Sequence, residues 1–340
     1  MSGQRQLMPD CDSAELETAL TDDTAQWSLH AENVQTGAII SWRENLVVDT
    51  MSVIKVPLLV HLLELADAGD IDLARKVTVT AERKRLGTGV LASLTDGLTV
   101  TLADAAQLMI TFSDNTATDI VFEAVGGVSQ LNEAISRRGL TQTAACGTAF
   151  DWFRHLATFM DPACASYSPG ELFTKGYPLS DPEELRTARS RYHFGGGASF
   201  GVTTASEFGS LMSMLERGEY TQPRVRERAL AILAQQAFRS RIPRYLPAHV
   251  TVHHKTGDFS PFIANDVGII RTPNVPTLVL CMFSSGNTRP WGYAEEVLAR
   301  TALACWTRTV DQADSTDRPP SPDDAHTAVG TPVLPKPRRG

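Results

Sequence analysis

The order of the apolar patterns along the chain restricts its fold more than any other feature. Strand-like alternation stands near the start, on both sides of Gly37, and returns late in the sequence. The predicted strands cover residues 27–34, 38–42, 250–255, 264–271 and 277–283. Because strands come from both ends with helical patterns between them, we expect an α+β sandwich. It would hold an antiparallel sheet flanked by helices and built from both chain ends, plus an inserted all-helical domain.

Helical spacing of apolar residues accounts for much of the sequence between these strands. Helices are predicted at residues 52–68, 102–110, 116–125, 128–138, 204–217, 224–237 and 293–306. The stretch from 146 to 201 has little periodicity, several prolines and the flexible run Gly195-Gly-Gly197. It is therefore predicted to be a long excursion without regular elements, and long loops in compact chains are often functional.

These patterns divide the 340 residues into segments. An N-terminal segment or helix is expected at 1–26, and an α/β sheet domain at 27–68 and 204–310. An all-helical domain with its enlarged loop at 146–201 is expected at 69–203. Residues 311–340 hold six of the nineteen prolines and no aromatic residue, so they are predicted to be a disordered tail.

Composition excludes several classes of function. The chain has 31 basic and 39 acidic residues, a net charge of −8, which argues against a nucleic-acid partner and for a small molecule. The most apolar stretch, 53–68, contains Lys55, His61 and Glu64, so no membrane span is expected. The first residues contain no apolar signal region, and the five cysteines form no CxxC pair. A cytoplasmic location with reduced thiols is the expectation.

Three short signals carry candidate chemistry, and they occur in the order Ser52-Val-Ile-Lys55, Ser113-Asp-Asn115 and Lys255-Thr-Gly257. Ser52 and Lys55 stand three residues apart at a predicted helix start, so their side chains share one face. A serine is a weak nucleophile until a base takes its proton, and a lysine of lowered pKa can do so. The alternative is a solvated pair on an ordinary helix, but Lys55 lies in an apolar run where an unpaired ammonium is costly.

The other two signals also have structural alternatives. Ser113-Asp-Asn115 precedes a predicted helix, so the triplet is equally typical of a helix N-cap. Lys255 and Thr256 are predicted to end a strand, where Gly257 permits close approach of the backbone to a ligand. A lysine on an edge strand also prevents aggregation.

Together the three signals resemble those of the serine β-lactamase and penicillin-binding-protein superfamily, class A β-lactamases in particular, over about residues 27–306. The resemblance implies that Ser52 is the acylated nucleophile and Lys55 its proton acceptor. It implies that Ser113 relays the proton to the leaving nitrogen and that Asn115 holds the substrate amide and Lys55.

The same resemblance assigns the remaining site residues. Lys255 and Thr256 would bind a substrate carboxylate beside Gly257, and the backbone N–H groups of Ser52 and Asp258 would form the oxyanion hole. No metal or other cofactor is expected. His253 and His254 are adjacent on a predicted strand, so their side chains point to opposite faces and do not share an ion.

One departure from the family pattern concerns deacylation. Class A enzymes carry a Glu-x-x-x-Asn element whose glutamate activates the water, and none occurs between Asn115 and Lys255. A weak likeness to this element occurs in the segment that contains Asp181, Glu183 and Glu184. The first hypothesis is a serine hydrolase that opens an amide, β-lactam or ester through acyl-Ser52. The alternatives are an acyltransferase that uses the same acyl-Ser52 chemistry and a non-catalytic binding homologue.

Overall fold

The computed structural model of the protein describes residues 20–21 and 24–316. The strands are β1 Gln26–Asn33, β2 Ile39–Trp42, β3 Val48–Asp49, β4 Lys76–Thr78, β5 Thr99–Thr101, β6 Ala144–Ala145, β7 Gly201–Thr203, β8 Thr251–Phe259, β9 Ile263–Thr272 and β10 Val275–Ser285. The helices are α1 Lys55–Asp67, α2 Leu102–Thr111, α3 Asn115–Ala124, α4 Val128–Ser136, α5 Ala149–Met160, α6 Pro169–Lys175, α7 Pro182–Phe194, α8 Ala205–Arg217, α9 Pro223–Leu233 and α10 Trp291–Thr316.

The main sheet has five antiparallel strands in the order β2-β1-β10-β9-β8. Its first long strand pairs with its last, with Trp27 opposite Ser284 and Leu29 opposite Met282. The α+β class and the sheet assembled from both chain ends, expected from the sequence, are thereby confirmed. Since β8 pairs with β9 and stands at the end of this order, it is an edge strand.

Both faces of the sheet are covered by helices. Successive residues of a strand point to opposite faces, and β10 shows this clearly. Leu280 and Met282 belong to the buried cluster that includes Leu298 of α10. Cys281 and Phe283 belong to the other cluster, which includes residues of α1 and α8. The sheet is therefore the middle layer. Helix α1, which begins at Lys55 of the first motif, packs against the face that carries Cys281 and Phe283.

The segment between β3 and β7 forms the helical part of the molecule, and it corrects one prediction. Residues 146–201 are not an irregular excursion, because they contain α5, α6 and α7. Caps rather than apolar periodicity mark these helices. Thr148 and Ser168 each form a capping box with the acidic residue three positions later, and Asp181 caps α7 ahead of a proline at its first position.

Only parts of the predicted N-terminal segment and C-terminal tail lie within the described residues. Leu20 and Thr21 are helical, and Leu20 is buried in the cluster beneath α10; residues 1–19 lie outside the described part. Helix α10 continues to Thr316, so residues 311–316 are helical rather than tail, and 317–340 lie outside. None of the helices described is long and apolar enough to cross a membrane. Cys146, Cys164 and Cys281 are free thiols.

The layered packing predicts which aromatic residues stabilise the fold. Phe208 of α8 is fully buried and meets Phe283 of β10 edge to face, with ring centroids 6.0 Å apart. Truncating Phe208→Ala should lower the free energy of unfolding by about 3–5 kcal/mol, as for other buried phenylalanines. The matched control, Phe238→Ala, removes a ring that is 39% exposed and should cost far less. Urea unfolding followed by circular dichroism measures both, and equal midpoint shifts would contradict this packing.

Candidate active site

Ser52 lies on the 3-10 turn Met51–Ile54 that leads into α1. Met51 has a φ of 44°, a left-handed conformation that is unusual for a residue with a side chain and is often found at functional sites. Its N–H donates to Asp49 at 2.8 Å, and burial raises the pKa of that carboxyl to about 6. The entry into α1 is thus held in a specific strained turn, which fixes the position of Ser52.

Strand β8 approaches this turn closely at Gly257. A β-carbon at that position would lie 2.6 Å from the carbonyl oxygen of Thr50 and 3.2 Å from the backbone nitrogen of Ser52. Only a glycine fits without displacing the strand. The close approach sets the backbone of Gly257 and Asp258 beside Ser52, where the resemblance places the oxyanion hole.

Lys55 is fully buried at the start of α1, and its amine is bound by polar atoms from the neighbouring helical segment. Its Nζ lies 2.8 Å from the carbonyl oxygen of Ser113, 3.2 Å from Ser113 Oγ and 2.9 Å from Asn115 Oδ1. Burial and then the nearby Lys255 lower the pKa of this amine well below its ordinary value. Lys55 is therefore able to lose its proton and act as a base.

In the triplet Ser113-Asp114-Asn115, the middle residue caps a helix and the other two line the site. Asp114 is the N-cap of α3 and accepts from the N–H of Ala117 at 2.8 Å, so the capping alternative applies to this residue. Its carboxylate also holds Val90 and Leu91 through their N–H groups. Ser113 has a φ of 54°, and like Asn115 it lines the cavity that contains Ser52.

Lys255 meets Ser113 from the opposite side. Its Nζ lies 3.0 Å from Ser113 Oγ and 2.7 Å from the carbonyl oxygen of Thr256, and burial lowers its pKa to about 7. Ser113 Oγ thus stands between two lysine amines. Lys255 and Thr256 lie within β8 rather than at its end as predicted, because pairing with β9 continues to Phe259. Thr256 Oγ1 is buried and has no hydrogen-bond partner among the described residues.

The side chain of Asp258 pairs with Arg241, a residue that the sequence analysis did not single out. Arg241, buried in the loop before β8, donates to the Asp258 carboxylate and, at 2.7 Å, to the carbonyl oxygen of Asn265. Arg271 of β9 pairs with Glu216 at 2.6 Å. No local pattern distinguishes Arg241, because its contacts depend on how the loop packs against the sheet.

Ser52, Ser113 and Asn115 open into a cavity of about 300 Å³. The opposite wall comes largely from the helical segment after residue 148 and is mainly aromatic: Ala149, Trp152, Phe153, Tyr177 and Phe200, with Phe259 of β8. Arg189 of α7 also lines it. Among the described residues lining this cavity, Asp258 is the one that carries a carboxylate, and that group is paired with Arg241.

The sequence-based candidates for deacylation are not brought to Ser52. Asp181 uses its carboxylate to cap α7, where it accepts from the N–H groups of Glu183 and Glu184 at 3.0 and 2.9 Å. Glu183 pairs with Arg186 on the surface, and all three acidic residues are exposed and outside the cavity lining. The segment with a weak likeness to a Glu-x-x-x-Asn element is therefore a helix start, and none of the three is a deacylating base.

The adjacent histidines of β8 turn to opposite faces. His253 Nδ1 lies 2.9 Å from the carbonyl oxygen of Leu230, whereas His254 Nδ1 lies 3.0 Å from Asp266. The described residues contain no group of three or more His, Cys, Asp or Glu side chains suited to a metal ion.

The sheet, the inserted helices and the serine-lysine cluster between them define the β-lactamase/transpeptidase fold. A model of the β-lactamase enzyme family matches residues 13–309. The chain therefore belongs to the β-lactamase enzyme family. The resemblance to β-lactamases, expected from the three motifs, is confirmed by that match.

Three solved structures illustrate the similarity. The β-lactamase of Sphaerobacter thermophilus has a TM-score of 0.69 at 24% identity, covering 87% of this chain and 96% of that one. PBP-A has a TM-score of 0.66 at 22% identity and covers 90% and 100%. The class A β-lactamase reconstructed for the last common ancestor of Gram-negative bacteria has 0.68 at 20%, covering 87% and 98%. No curated protein sequence matches the chain.

The lowered pKa of Lys255 predicts a dependence of stability on pH. Folded Lys255 titrates near pH 7 and the unfolded side chain near 10.5, so the unfolded chain binds more protons between these values. The free energy of unfolding should therefore rise with pH in this window, by up to about 1.4 kcal/mol per pH unit from this group. Lys255→Met should flatten the rise, whereas the exposed Lys76→Met should preserve it.

Urea unfolding at pH 7, 8 and 9 measures these slopes. Parallel slopes for the wild type and Lys255→Met would show that Lys255 is not a buried amine with a lowered pKa.

Proposed function

We propose that the protein is a serine hydrolase of the class A β-lactamase type, which opens a β-lactam, another amide or an ester through acyl-Ser52. One observation carries the proposal. Ser113 Oγ stands 3.2 Å from Lys55 Nζ and 3.0 Å from Lys255 Nζ, in the cavity that contains Ser52. A hydroxyl between two amines of lowered pKa is suited to pass a proton in either direction.

Acylation begins with Ser52 Oγ attacking the substrate carbonyl while neutral Lys55 accepts its proton. Neutral Lys55 is accessible because burial and the positive charge of Lys255 both disfavour its ammonium form. Negative charge then develops on the carbonyl oxygen. The backbone N–H groups of Ser52 and Asp258, set side by side by the close approach of Gly257, would stabilise it.

Collapse of this intermediate breaks the carbon–nitrogen bond and leaves an ester between Ser52 Oγ and the acyl carbon. The electron pair of the broken bond goes to nitrogen, which takes the proton of Ser113 Oγ. Ser113 in turn recovers a proton from Lys55, with which it shares a hydrogen bond. The proton lost by Ser52 thus ends on the leaving nitrogen.

A carboxylate on the leaving half of the substrate would meet Lys255 and Thr256. Thr256 Oγ1 is buried without a partner in the described part of the chain, and the Lys255 amine donates to the carbonyl oxygen of the same threonine at 2.7 Å. An anion there would satisfy the hydroxyl and favour the charged form of the amine. We therefore propose a small-molecule substrate with a carboxylate next to its scissile amide or ester.

Clearing of the acyl group is the slower half of the proposed reaction. The described residues lining the cavity include one carboxylate, that of Asp258, and its pairing with Arg241 lowers its capacity to activate water. The described residues of the facing wall are mainly aromatic, and none of them carries a carboxylate. A point mutant of PBP-A, which is similar in structure at 22% identity, has been seen as an acyl-enzyme complex with penicillin G.

The aromatic wall favours a second candidate function, an acyltransferase. A cavity whose described lining has no unpaired carboxylate to activate water still admits an amine, which is a better nucleophile and brings its own basic lone pair. Acyl-Ser52 would then pass its acyl group to nitrogen, forming a new amide and regenerating the serine hydroxyl.

Intact-mass spectrometry with benzylpenicillin tests the acyl-enzyme. The wild type should gain the mass of one whole penicillin, because ring opening expels no atoms. Ser52→Ala should gain none, and Ser210→Ala, an exposed hydroxyl on α8, should gain the same mass as the wild type. An unmodified wild type, or an adduct that survives Ser52→Ala, would refute acylation at Ser52; reversible binding without an adduct would support the binding homologue.

The fate of the adduct separates hydrolysis from transfer. If the aromatic wall disfavours water, the wild-type adduct should persist, and added primary amines should shorten its lifetime and release an amide of the acyl group. The lifetime is measured by mass spectrometry after removal of free penicillin, with a tertiary amine of similar basicity as the control. Rapid loss of the adduct in buffer, unchanged by primary amines, would leave hydrolysis as the sole reaction.

A further inference from the structure

One charged side chain in the Ser52 cavity has no role in the chemistry described above. Arg189 of α7 lines the cavity together with the aromatic residues of its helical wall. Its guanidinium carbon lies 4.7 Å from the centroid of the Phe259 ring. Phe259 in turn meets Trp152 edge to face, with centroids 5.0 Å apart. The cation is therefore held over a ring and surrounded by apolar surface.

In the part of the chain that the structure describes, the buried Nε of Arg189 has no hydrogen-bond partner. No carboxylate of these residues forms an ion pair with its guanidinium. Burial lowers the pKa of this side chain, which shows that its surroundings disfavour the charge. A half-buried cation with free donors is costly unless an anion completes it, and a guanidinium suits a planar carboxylate.

Arg241 provides an internal comparison. Successive residues of β8 point to opposite sides, so Asp258 meets Arg241 whereas Phe259 meets Arg189. Arg241 donates to Asp258 and to the carbonyl oxygen of Asn265. One arginine at the end of this strand is thus neutralised by the protein, and the other is available to a ligand.

Lys255 and Arg189, the two candidate anion-binding residues near Ser52, would contact different halves of a substrate. Lys255 contacts Ser113, which under the proposed mechanism faces the leaving nitrogen. Arg189 instead belongs to the wall formed by α5 and α7 with Tyr177 between them, and Lys255 is not among the described residues that line this cavity. A group that reaches Arg189 therefore belongs to the acyl half, which stays on Ser52 when nitrogen leaves.

We infer that Arg189 is a specificity residue that binds a carboxylate on the acyl half of the substrate, whose apolar or aromatic body packs against the Trp152 wall. The inference rests on the proposed function, because the two halves are defined by acylation at Ser52. Tyr177 supports the same anion. Burial raises the pKa of its phenol, so the hydroxyl stays protonated and remains a donor near Arg189.

Two penicillins that differ by one carboxylate provide the test. Carbenicillin is benzylpenicillin with a carboxylate on the acyl side chain, next to its phenyl ring. The second-order rate constant of acylation, measured by intact mass, should be at least about tenfold higher for carbenicillin on the wild type. Arg189→Gln should remove about ten- to a hundredfold of the carbenicillin rate and change the benzylpenicillin rate by less than about threefold.

Arg186→Gln is the matched control, since Arg186 lies one turn earlier on α7, is exposed and pairs with Glu183. It should leave both rates as in the wild type. Equal loss of both rates in Arg189→Gln, or no loss in either, would overturn the specificity role. The unchanged benzylpenicillin rate also shows that the variant is folded.

A second measurement keeps this inference separate from the proposed function. If neither penicillin acylates the wild type, the proposed function fails, and Arg189 is judged by reversible binding alone. Phenylmalonic acid monoamide and phenylacetamide carry the same ring and amide but differ by the carboxylate, and tryptophan fluorescence reports their binding near Trp152. The anionic amide should bind at least about tenfold tighter to the wild type and lose that advantage in Arg189→Gln. Equal affinities would overturn the inference.

Discussion

The buried amine of Lys55 is the constraint on which the rest of the site depends. Removing an ammonium from water is costly, so a fully buried lysine needs polar partners and loses its proton readily. Those partners come from Ser113 and Asn115, 58 and 60 residues away, across the junction between the sheet and the inserted helices. Under the proposed mechanism, this contact between the two parts of the molecule also prepares the base.

Lys255 is a second fully buried amine, and it lies on the edge strand β8. Both amines lie within hydrogen-bonding distance of one hydroxyl, Ser113 Oγ, and the charge of Lys255 lowers the pKa of Lys55. An anion bound at Lys255 and Thr256 would draw the remaining charge to the strand side and leave Lys55 neutral. In this arrangement, substrate binding and activation of the serine share the same electrostatic cause.

Strong local patterns made much of the fold and the core of the site predictable. The sheet strands follow from apolar alternation, and Ser52, Lys55, Ser113 and Lys255 follow from the three spaced motifs, which the fold brings to one cavity or to each other. The helices of 149–194 were missed because they are marked by caps; in α7 only Tyr192 is buried. Arg189 was missed because nothing local separates it from Arg186 or Arg191, and only packing places one of the three beside Phe259.

The wide sequence separation of the site residues has a consequence for the newly made chain. Ser113 and Lys255 meet across 142 residues, and β8 joins its sheet only after most of the chain has been synthesised. Contacts of such long range form late, because the entropy of closing a large loop must be overcome first. Until then Ser52 is an ordinary hydroxyl and Lys55 a solvated ammonium. Under the proposed mechanism, the reactivity of Ser52 is therefore acquired with completion of the fold, and in an unfinished chain this serine is no more reactive toward activated acyl compounds than other serines.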